Sequence, residues 1–307
     1  MSGSLLEVKK KIIGVKNTRK ITKAMQLVAA SKMRQFQKKA LTARGYTIDL
    51  YETLKQNISS EESNIYAAKR SNGSTLFVAY TSDKGLCGPL NTKILNTLVR
   101  SKKWIETPKE KRLLIAIGKK SSNFAKSNNI PVEQSFIGLP EKFTTLDILK
   151  MIDPILTLWK KKGLKEVIFI APHYKNSFTF YPVMKTFLPF SEEGIKKIIG
   201  ISKGGVDEEV NEDNNDGEMA GDYMLFSPSK KHVVKSLYEQ IIESMFIQSF
   251  LELKAAEYSS RMIAMQNATD AADRIVHDLN LTYNKARQQA ITQEIAELIG
   301  ASMALEG

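Results

Sequence analysis

The feature that most restricts the possible folds is a run of seventy residues, 230–299, that contains neither glycine nor proline. Pro228 precedes the run, and its neighbours Ser227 and Ser229 are suitable helix N-caps. Gly300 follows it, and we expect the helix to end there because glycine often terminates helices. At 1.5 Å per residue the run would form a helix of roughly 105 Å. Globular helices average about 11 residues, so a helix of this length needs a partner along it.

The apolar pattern within this run indicates what kind of partner the helix needs. Apolar and small residues recur at alternating spacings of four and three over nearly five heptads, which predicts the seam of a left-handed coiled coil. The seam positions are Tyr258, Met262, Met265, Thr269, Ala272, Val276, Leu279, Tyr283, Ala286 and Ala290.

The N-terminal segment carries a shorter version of the same pattern. Its first group is Leu5, Val8, Ile12 and Val15, and the expected continuation, shifted in frame after Gly14, is Ile21, Met25 and Val28. Two amphipathic helices at opposite ends of one chain can pair antiparallel around a domain between them. The sequence therefore predicts an antiparallel coiled coil of the N- and C-terminal helices.

The middle of the chain has a different character. Short runs rich in strand-forming residues occur at Ser74–Tyr80 and at residues 113–118 and 166–171, and they alternate with helical stretches near 88–103, 119–128 and 144–162. This alternation predicts a Rossmann-like, doubly wound parallel sheet. A further strand is expected at residues 178–188, at a sheet edge or a bulge because Pro182 cannot donate a hydrogen bond.

These patterns predict three parts: an N-terminal coiled-coil helix at 1–70, a central α/β domain at 74–222, and a C-terminal coiled-coil helix at 223–307. Residues 206–219 contain seven acidic residues and no basic one, and little that could be buried. We expect this acidic segment to be a loop that precedes the final helix. The fold class is thus α/β with a long α-helical coiled coil.

Charge is distributed unevenly along the chain. The formal net charge is +12, yet residues 1–45 alone contain twelve Lys and Arg against one acid, Glu7. Such a segment suits an acidic partner, which could be nucleic acid, an anionic membrane surface or an acidic protein face. The pattern favours the protein face, because only Phe36 and Tyr46 could stack on bases and the apolar face is small for a membrane-surface helix.

The sequence gives little indication of bond chemistry. The single cysteine, Cys87, forms no intrachain disulfide or cysteine-only metal site, and no apolar run of about 18 residues could cross a bilayer. A glycine-containing turn at residues 82–89 follows the first strand, where doubly wound folds bind phosphate. Pro89 and the glycines also suit an ordinary tight turn before a helix. No catalytic residue, metal site or cofactor is predicted.

Four segments carry a resemblance to a known family. They read IIGVKNTRKITKAMQLVAASKMR at 12–34, SDKGLCGPLN at 82–91, YSSRMIAMQNATDAA at 258–272 and NKARQQAITQEIAEL at 284–298. In order and position they resemble the gamma subunit of F-type ATP synthases across essentially the whole chain. Two departures are Pro89, where the family usually has a second glycine, and Cys87 alone, which rules out the paired-cysteine switch of photosynthetic members.

The resemblance implies a non-catalytic rotor shaft. In that family the coiled coil lies inside the hexamer of alternating alpha and beta subunits and turns with the membrane c-ring, coupling proton or sodium transport to ATP synthesis or hydrolysis. The implied partners are the alpha and beta subunits, the small epsilon (delta-type) subunit and the c-ring, with one copy per complex and no nucleic acid. The implied location is peripheral, at the cytoplasmic face of a bacterial plasma membrane.

The resemblance also assigns residues to rotor–stator contacts. Met25 and its basic neighbours would face the acidic lever loops of the catalytic subunits, although ordinary seam packing is an equal alternative for Met25. A second group near the C-terminus would contact the catch loops. The expected contact residues are Arg19, Lys20, Lys23, Met25, Arg287, Gln288 and Thr292.

Overall fold

The computed structural model describes residues 2–57, 65–140, 143–161, 163–176, 179–190 and 226–306. The acidic segment at 206–219 lies outside these residues. The first and last elements are long helices, α1 (Ser2–Asn57) and α6 (Lys230–Glu306). The chain divides into two compact units: residues 1–30 with 261–307, here named the terminal coiled coil, and residues 31–260, here named the body.

The body contains a five-stranded sheet. Its strands are β1 (Ser74–Tyr80), β2 (Arg112–Ile117), β3 (Val132–Phe136), β4 (Leu164–Asn176) and β5 (Thr179–Leu188). They lie in the order β3-β2-β1-β4-β5, with β1 to β4 parallel and β5 antiparallel to β4. The Rossmann-like doubly wound core is therefore confirmed. So is the position of β5 at an edge, where Pro182 pairs opposite Pro172.

Helices cover both faces of the sheet. The shorter helices are α2 (Leu90–Arg100), α3 (Lys102–Glu106), α4 (Lys119–Ser127) and α5 (Thr145–Lys161). On one face the apolar core joins β1, β2 and β4 to α2, Trp104 of α3 and α4. On the other face it joins the sheet to α5 and to the body segments of α1 and α6. The two long helices thus take part in the core of the body.

Within the body, α1 and α6 run antiparallel. The rings of Phe36 and Tyr258 stack with centroids 5.4 Å apart, and further along α1 the hydroxyls of Thr47 and Ser244 are 2.7 Å apart. Later residues of α1 therefore contact earlier residues of α6, as expected for the predicted antiparallel pairing.

The terminal coiled coil confirms the predicted seam on α6. Met262, Met265, Thr269 and Ala272 are buried. Further along the helix the seam positions are half-buried while most of their neighbours are exposed; these positions are Val276, Leu279, Tyr283, Ala286 and Ala290. The spacing of four and three thus marks the least exposed stripe of this helix.

The predicted frame shift in α1 is wrong. Ile21 and Val28 are 61% and 56% exposed, whereas Thr22 and Ala29 are buried. The heptad frame that starts at Leu5 continues without a shift, because the helix runs unbroken past the glycine at position 14. Thr22 can occupy the seam because its hydroxyl is hydrogen-bonded there, a possibility that counting only apolar residues misses.

The predicted end of α6 at Gly300 is also wrong, since the helix continues to Glu306. A helix-terminating glycine adopts a left-handed conformation, and Gly300 is not among the residues with positive φ. Glycine inside a helix costs only about 1 kcal/mol relative to alanine. Continued helical hydrogen bonding past Gly300 offsets that cost.

Candidate functional site

The N-terminal group of expected contact residues lies on α1 in the terminal coiled coil. Lys20 and Lys23 are exposed, and Met25 is half-buried at the margin of the seam. Arg19 forms an ion pair with Asp273 of α6. Arg19 is therefore held by an internal carboxylate, whereas Lys20 extends into solvent.

The second group lies on α6. Arg287, Gln288 and Thr292 are all exposed, as expected from their position between the half-buried seam residues Ala286 and Ala290. The hydroxyl of Thr292 donates to the backbone carbonyl of Gln288 at 2.9 Å. The amide of Gln288 and the guanidinium of Arg287 are thus presented outward from one turn of helix.

The structure does not bring the two groups together. Asp273, the partner of Arg19, lies 14 residues before Arg287 on the same helix. At 1.5 Å per residue this separates them by roughly 21 Å along α6. Contacts through the two groups would therefore be made at different levels of the terminal coiled coil.

The same unit has an apolar outer surface that was not predicted from the sequence. Eleven large apolar residues outside the buried seam are between 48% and 71% exposed. They are Leu6, Ile13, Ile21, Leu27 and Val28 on α1, and Ile275, Leu281, Ile291, Ile295, Leu298 and Ile299 on α6. Apolar surface this extensive is typical of a protein–protein interface. The unshifted heptad frame was the available signal, because these residues fall outside it, whereas the predicted shift had placed Ile21 and Val28 in the seam.

The position where doubly wound folds bind phosphate is filled by a side chain of the chain itself. Asp83, just after β1, accepts hydrogen bonds from the backbone N–H groups of Lys119 (2.9 Å), Gly138 (3.2 Å) and Leu139 (3.2 Å). Lys119 opens α4, so the carboxylate takes the place at the helix N-terminus that an anion would occupy. The glycine-containing turn therefore supplies a side chain of the protein itself, Asp83, to this position.

Close backbone packing supports this arrangement. Gly118, the residue before α4, has a φ of +94°, and a Cβ atom there would lie 2.0 Å from the carbonyl oxygen of Thr81. The Thr81 hydroxyl accepts a hydrogen bond from the Ser121 N–H at 2.7 Å. The ends of β1 and β2 are thus in contact through their backbones, with no space for a bound group between them.

The single cysteine is part of the same turn. Cys87 is 1% exposed, and its sulfur lies 3.2 Å from the amide nitrogen of Asn91 and 3.4 Å from the hydroxyl of Ser82. Asn91 in turn accepts a hydrogen bond from the Ser82 N–H at 2.9 Å. These contacts make Cys87 a packing residue of a closed turn.

The described ranges lack two further kinds of site. No group of three or more His, Cys, Asp or Glu side chains is placed to hold a metal ion there. Among the described helices, none is both long enough and apolar enough to cross a membrane.

Comparison with known proteins gives the family. The family model described as ATP synthase matches residues 4–305. A protein from Streptococcus agalactiae serotype III named ATP synthase gamma chain is 32% identical over an alignment that covers 100% of both chains. The chain belongs to the ATP synthase gamma-chain family. A gamma chain from Synechococcus sp. is likewise 32% identical, with 98% of this chain and 99% of that protein covered.

Solved structures agree with this gamma-chain fold. A chain of the Euglena gracilis mitochondrial ATP synthase superposes with a TM-score of 0.65 at 19% identity, covering 99% of this chain and 95% of that chain. A chain of the Tetrahymena thermophila mitochondrial ATP synthase central stalk and c-ring gives 0.56 at 23% identity, covering 81% and 99%. A gamma chain is a subunit of a complex and is not catalytic by itself, in agreement with the prediction of a non-enzymatic role.

Proposed function

We propose that this gamma chain is the rotor shaft of an ATP synthase, turning inside the hexamer of alpha and beta subunits together with the c-ring. The observation that carries the proposal is the terminal coiled coil, which combines a packed seam with an apolar outer surface. A two-helix unit that exposes many large apolar residues besides its charged ones needs a surrounding protein surface, and a hexamer with a central channel provides one.

The shaft performs no bond chemistry of its own. Its role is to change the affinity of distant nucleotide sites, which amounts to a coupling free energy between the membrane ring and the hexamer. A stiff element with different surfaces on its different sides is suited to this, because each orientation favours one conformation of the neighbouring catalytic subunit. The family names of the relatives support this role.

We further propose that the two exposed groups make the rotor–stator contacts. Lys20 and Lys23 have no internal carboxylate partner among their described contacts, so both can pair with acidic loops of catalytic subunits. Arg19 would first have to leave Asp273, which favours it as a residue that keeps the two helices together. Arg287 and Gln288 can donate to carboxylates, and hydrogen bonds between ionised groups are the stronger kind.

The remaining assignments concern the division of the chain into shaft and central domain, and the location of the complex. We propose that residues 1–70 and 223–307 form the shaft and 74–222 the central domain, which contacts the c-ring and the small epsilon-type subunit. The complex would lie peripherally at the cytoplasmic face of a bacterial plasma membrane, as the bacterial relatives suggest. The acidic segment 206–219 would modulate one of these docking contacts. Deleting it and measuring ATP hydrolysis and proton pumping tests that role, and unchanged values of both would dismiss it.

The main test is reconstitution with the alpha and beta subunits of the same organism. Native mass spectrometry should show one copy of this chain per hexamer, and a probe fixed to the body should rotate during ATP hydrolysis. Several copies per hexamer, or hydrolysis without rotation, would contradict the rotor proposal.

The contact residues are tested in the same assembly. Substituting Arg287→Ala together with Gln288→Ala should lower the rate of ATP hydrolysis without preventing assembly, because donors to the catalytic subunits are lost. Arg274→Ala is the matched control, since Arg274 is an exposed arginine of α6 outside the predicted group. Equal rates for the double variant and the control would argue against the assignment.

A further inference from the structure

One face of α6 within the body carries polar residues that reach β1 and the turn after it. Lys254, Glu257 and Ser260 follow one another at intervals of three, which places them along one side of a helix. Glu257 and Ser260 are 4% and 2% exposed. Buried polar side chains in regular spacing on an otherwise apolar face require a specific reason, because their burial is costly.

Glu257 is the centre of this group. Its carboxylate accepts a hydrogen bond from the hydroxyl of Tyr80 at 3.1 Å and lies 3.1 Å from the ammonium nitrogen of Lys254. The Lys254 and Glu257 side chains are only 12% and 6% exposed. A buried ion pair contributes little net stability, because desolvation of both charges offsets their attraction. Its better-attested contribution is to fix one arrangement among several.

Tyr80 is the member of this group that belongs to the sheet, and its side chain is held in one position. It is the last residue of β1 and is 1% exposed. Its ring meets that of Phe250, one turn earlier on α6 than Lys254, edge to face with centroids 5.7 Å apart. The Lys254 ammonium lies over the Tyr80 ring at 5.6 Å from its centre. The phenol is therefore enclosed by α6, and its hydroxyl has a fixed direction.

The hydrogen bond between Tyr80 and Glu257 is the first of two polar ties, a term used here for hydrogen bonds that join α6 to the sheet or to the turn after β1. The second tie lies about one turn further along α6. The Ser260 hydroxyl donates to the backbone carbonyl of Cys87 at 2.5 Å. Cys87 belongs to the turn in which the Ser82 N–H donates to Asn91 and in which Asp83 accepts from the Lys119 N–H of α4. This second tie therefore ends on backbone that is itself fixed against the sheet.

The two ties differ in both height and angle on the helix. Glu257 and Ser260 are about 4.5 Å apart along the axis and about 60° apart around it, from the 3.6 residues of each turn. Apolar contacts are non-directional and resist rotation of a helix about its axis only weakly. Two directional hydrogen bonds to rigid acceptors and donors at different angles define that rotation.

We propose that Tyr80, Glu257 and Ser260 are positioning residues that fix the rotational setting of α6 against the sheet, so that torque is transmitted without twisting of this helix. The proposal rests on the proposed rotor function. It assigns no contact with nucleotide or with the hexamer to these residues. What it adds is one place within the body where stiffness arises, at three side chains that join α6 to β1 and to the turn after it.

The test uses the assembled complex with a probe on the body and the hexamer immobilised. Tyr80→Phe removes one tie and keeps the ring. We expect ATP hydrolysis to continue while the variance of the probe angle during a catalytic pause rises about twofold, because one of two directional ties is lost. The matched control is Tyr66→Phe, which removes another hydroxyl that donates to a glutamate of α6, Glu239 at 2.9 Å. Tyr66 lies outside the sheet, and its variant should keep the wild-type variance.

The outcomes separate the two proposals. A wild-type complex that does not rotate contradicts the rotor function. A rotating wild type with unchanged variance in Tyr80→Phe overturns the positioning role alone. If Tyr80→Phe does not assemble, Ser260→Ala decides, because it removes the second tie with the loss of a single oxygen. A similar rise in the variance of the Tyr66→Phe control would also overturn the proposal, since it would show a general loosening of the body.

Discussion

The hydroxyl oxygens of Thr22 and Thr269 lie 2.8 Å apart across the seam of the terminal coiled coil, in a setting where both side chains are buried. The body contains a second such pair, Thr47 and Ser244, at 2.7 Å. Thr47 lies 25 residues after Thr22, and Ser244 lies 25 residues before Thr269. Each unit therefore contains a hydroxyl pair that joins α1 to α6, and the antiparallel register is the same for both pairs.

The first prediction concerns this pair. Thr22→Val removes the hydrogen bond across the seam and leaves the Thr269 hydroxyl bonded only to the Met265 carbonyl of its own helix, at 2.8 Å. We expect the terminal helices to be destabilised by about 1 kcal/mol. Val at both positions should cost less than the two single changes added together, because no polar group is then left behind. Hydrogen exchange of the α1 and α6 amides in the full chain measures both. Thr282→Val, which removes an exposed hydroxyl bonded to its own helix, serves as control and should change little.

The second prediction concerns alkaline pH. Burial, and then the charge of Glu257, raise the pKa of Tyr80 well above 10.0. The unfolded chain ionises this phenol near its ordinary value, so the folded chain binds the proton more tightly. The contribution of Tyr80 to stability is therefore complete below pH 10 and is lost as the pH rises above it. Urea unfolding between pH 8 and about 11 should show a steeper loss for the wild type than for Tyr80→Phe. Parallel curves would contradict this.

The third prediction concerns a lysine in an apolar setting. Lys185 of β5 lines a cavity of about 30 Å³ with Phe169, Phe187 and Phe246, and burial lowers its pKa although Glu252 opposes the shift. The unfolded chain then binds the proton of Lys185 more strongly than the folded chain does. Lys185 therefore lowers the free energy of unfolding at neutral pH, and this destabilisation decreases as the pH rises towards 10.5.

Lys185→Met should therefore stabilise the body by about 1 kcal/mol at neutral pH. Thermal unfolding at pH 7 and above pH 10 is the measurement, and the gain should shrink at the higher pH. A loss of stability at neutral pH would show that the pairing with Glu252 outweighs the burial cost.

The fourth prediction concerns the carboxylate at α4. Asp83→Ala removes the acceptor of three backbone N–H groups, and we expect a loss of about 1.5–3 kcal/mol in unfolding free energy. Asp83→Asn keeps one acceptor oxygen and should fall between the alanine variant and the wild type. Urea unfolding of the three chains gives the order. If the asparagine variant is as unstable as the alanine variant, the stabilisation comes from the negative charge of the Asp83 carboxylate and not from the shape of the side chain.

The elements of the body could be predicted from the sequence wherever hydrophobicity was concentrated. β1 is the clearest case, with bounds that match its apolar run, because a central parallel strand is buried on both faces. β3 was missed since the middle of its sequence VEQSF is polar and exposed, and only its end residues Val132 and Phe136 are half-buried. An edge strand of that kind is specified by pairing with β2, which no local pattern reveals.

The candidate site was predictable to a different extent. The exposure of Arg287 and Gln288 followed from the flanking seam alanines. The ion pair between Arg19 and Asp273 could not be foreseen, because it joins residues more than 250 positions apart and depends on the register of two helices. Their contacts with other subunits remain predictions, since those contacts are formed with surfaces that this chain does not contain.

The apolar outer surface of the terminal coiled coil has a consequence for the cell that makes this protein. A copy outside its complex exposes residues such as Leu298, Ile299 and Leu27 to water, and such surfaces invite aggregation and proteolysis. We therefore expect unassembled copies of this chain to have short half-lives. The same side chains that make the protein useful in its complex set an upper limit on how much of it can exist alone.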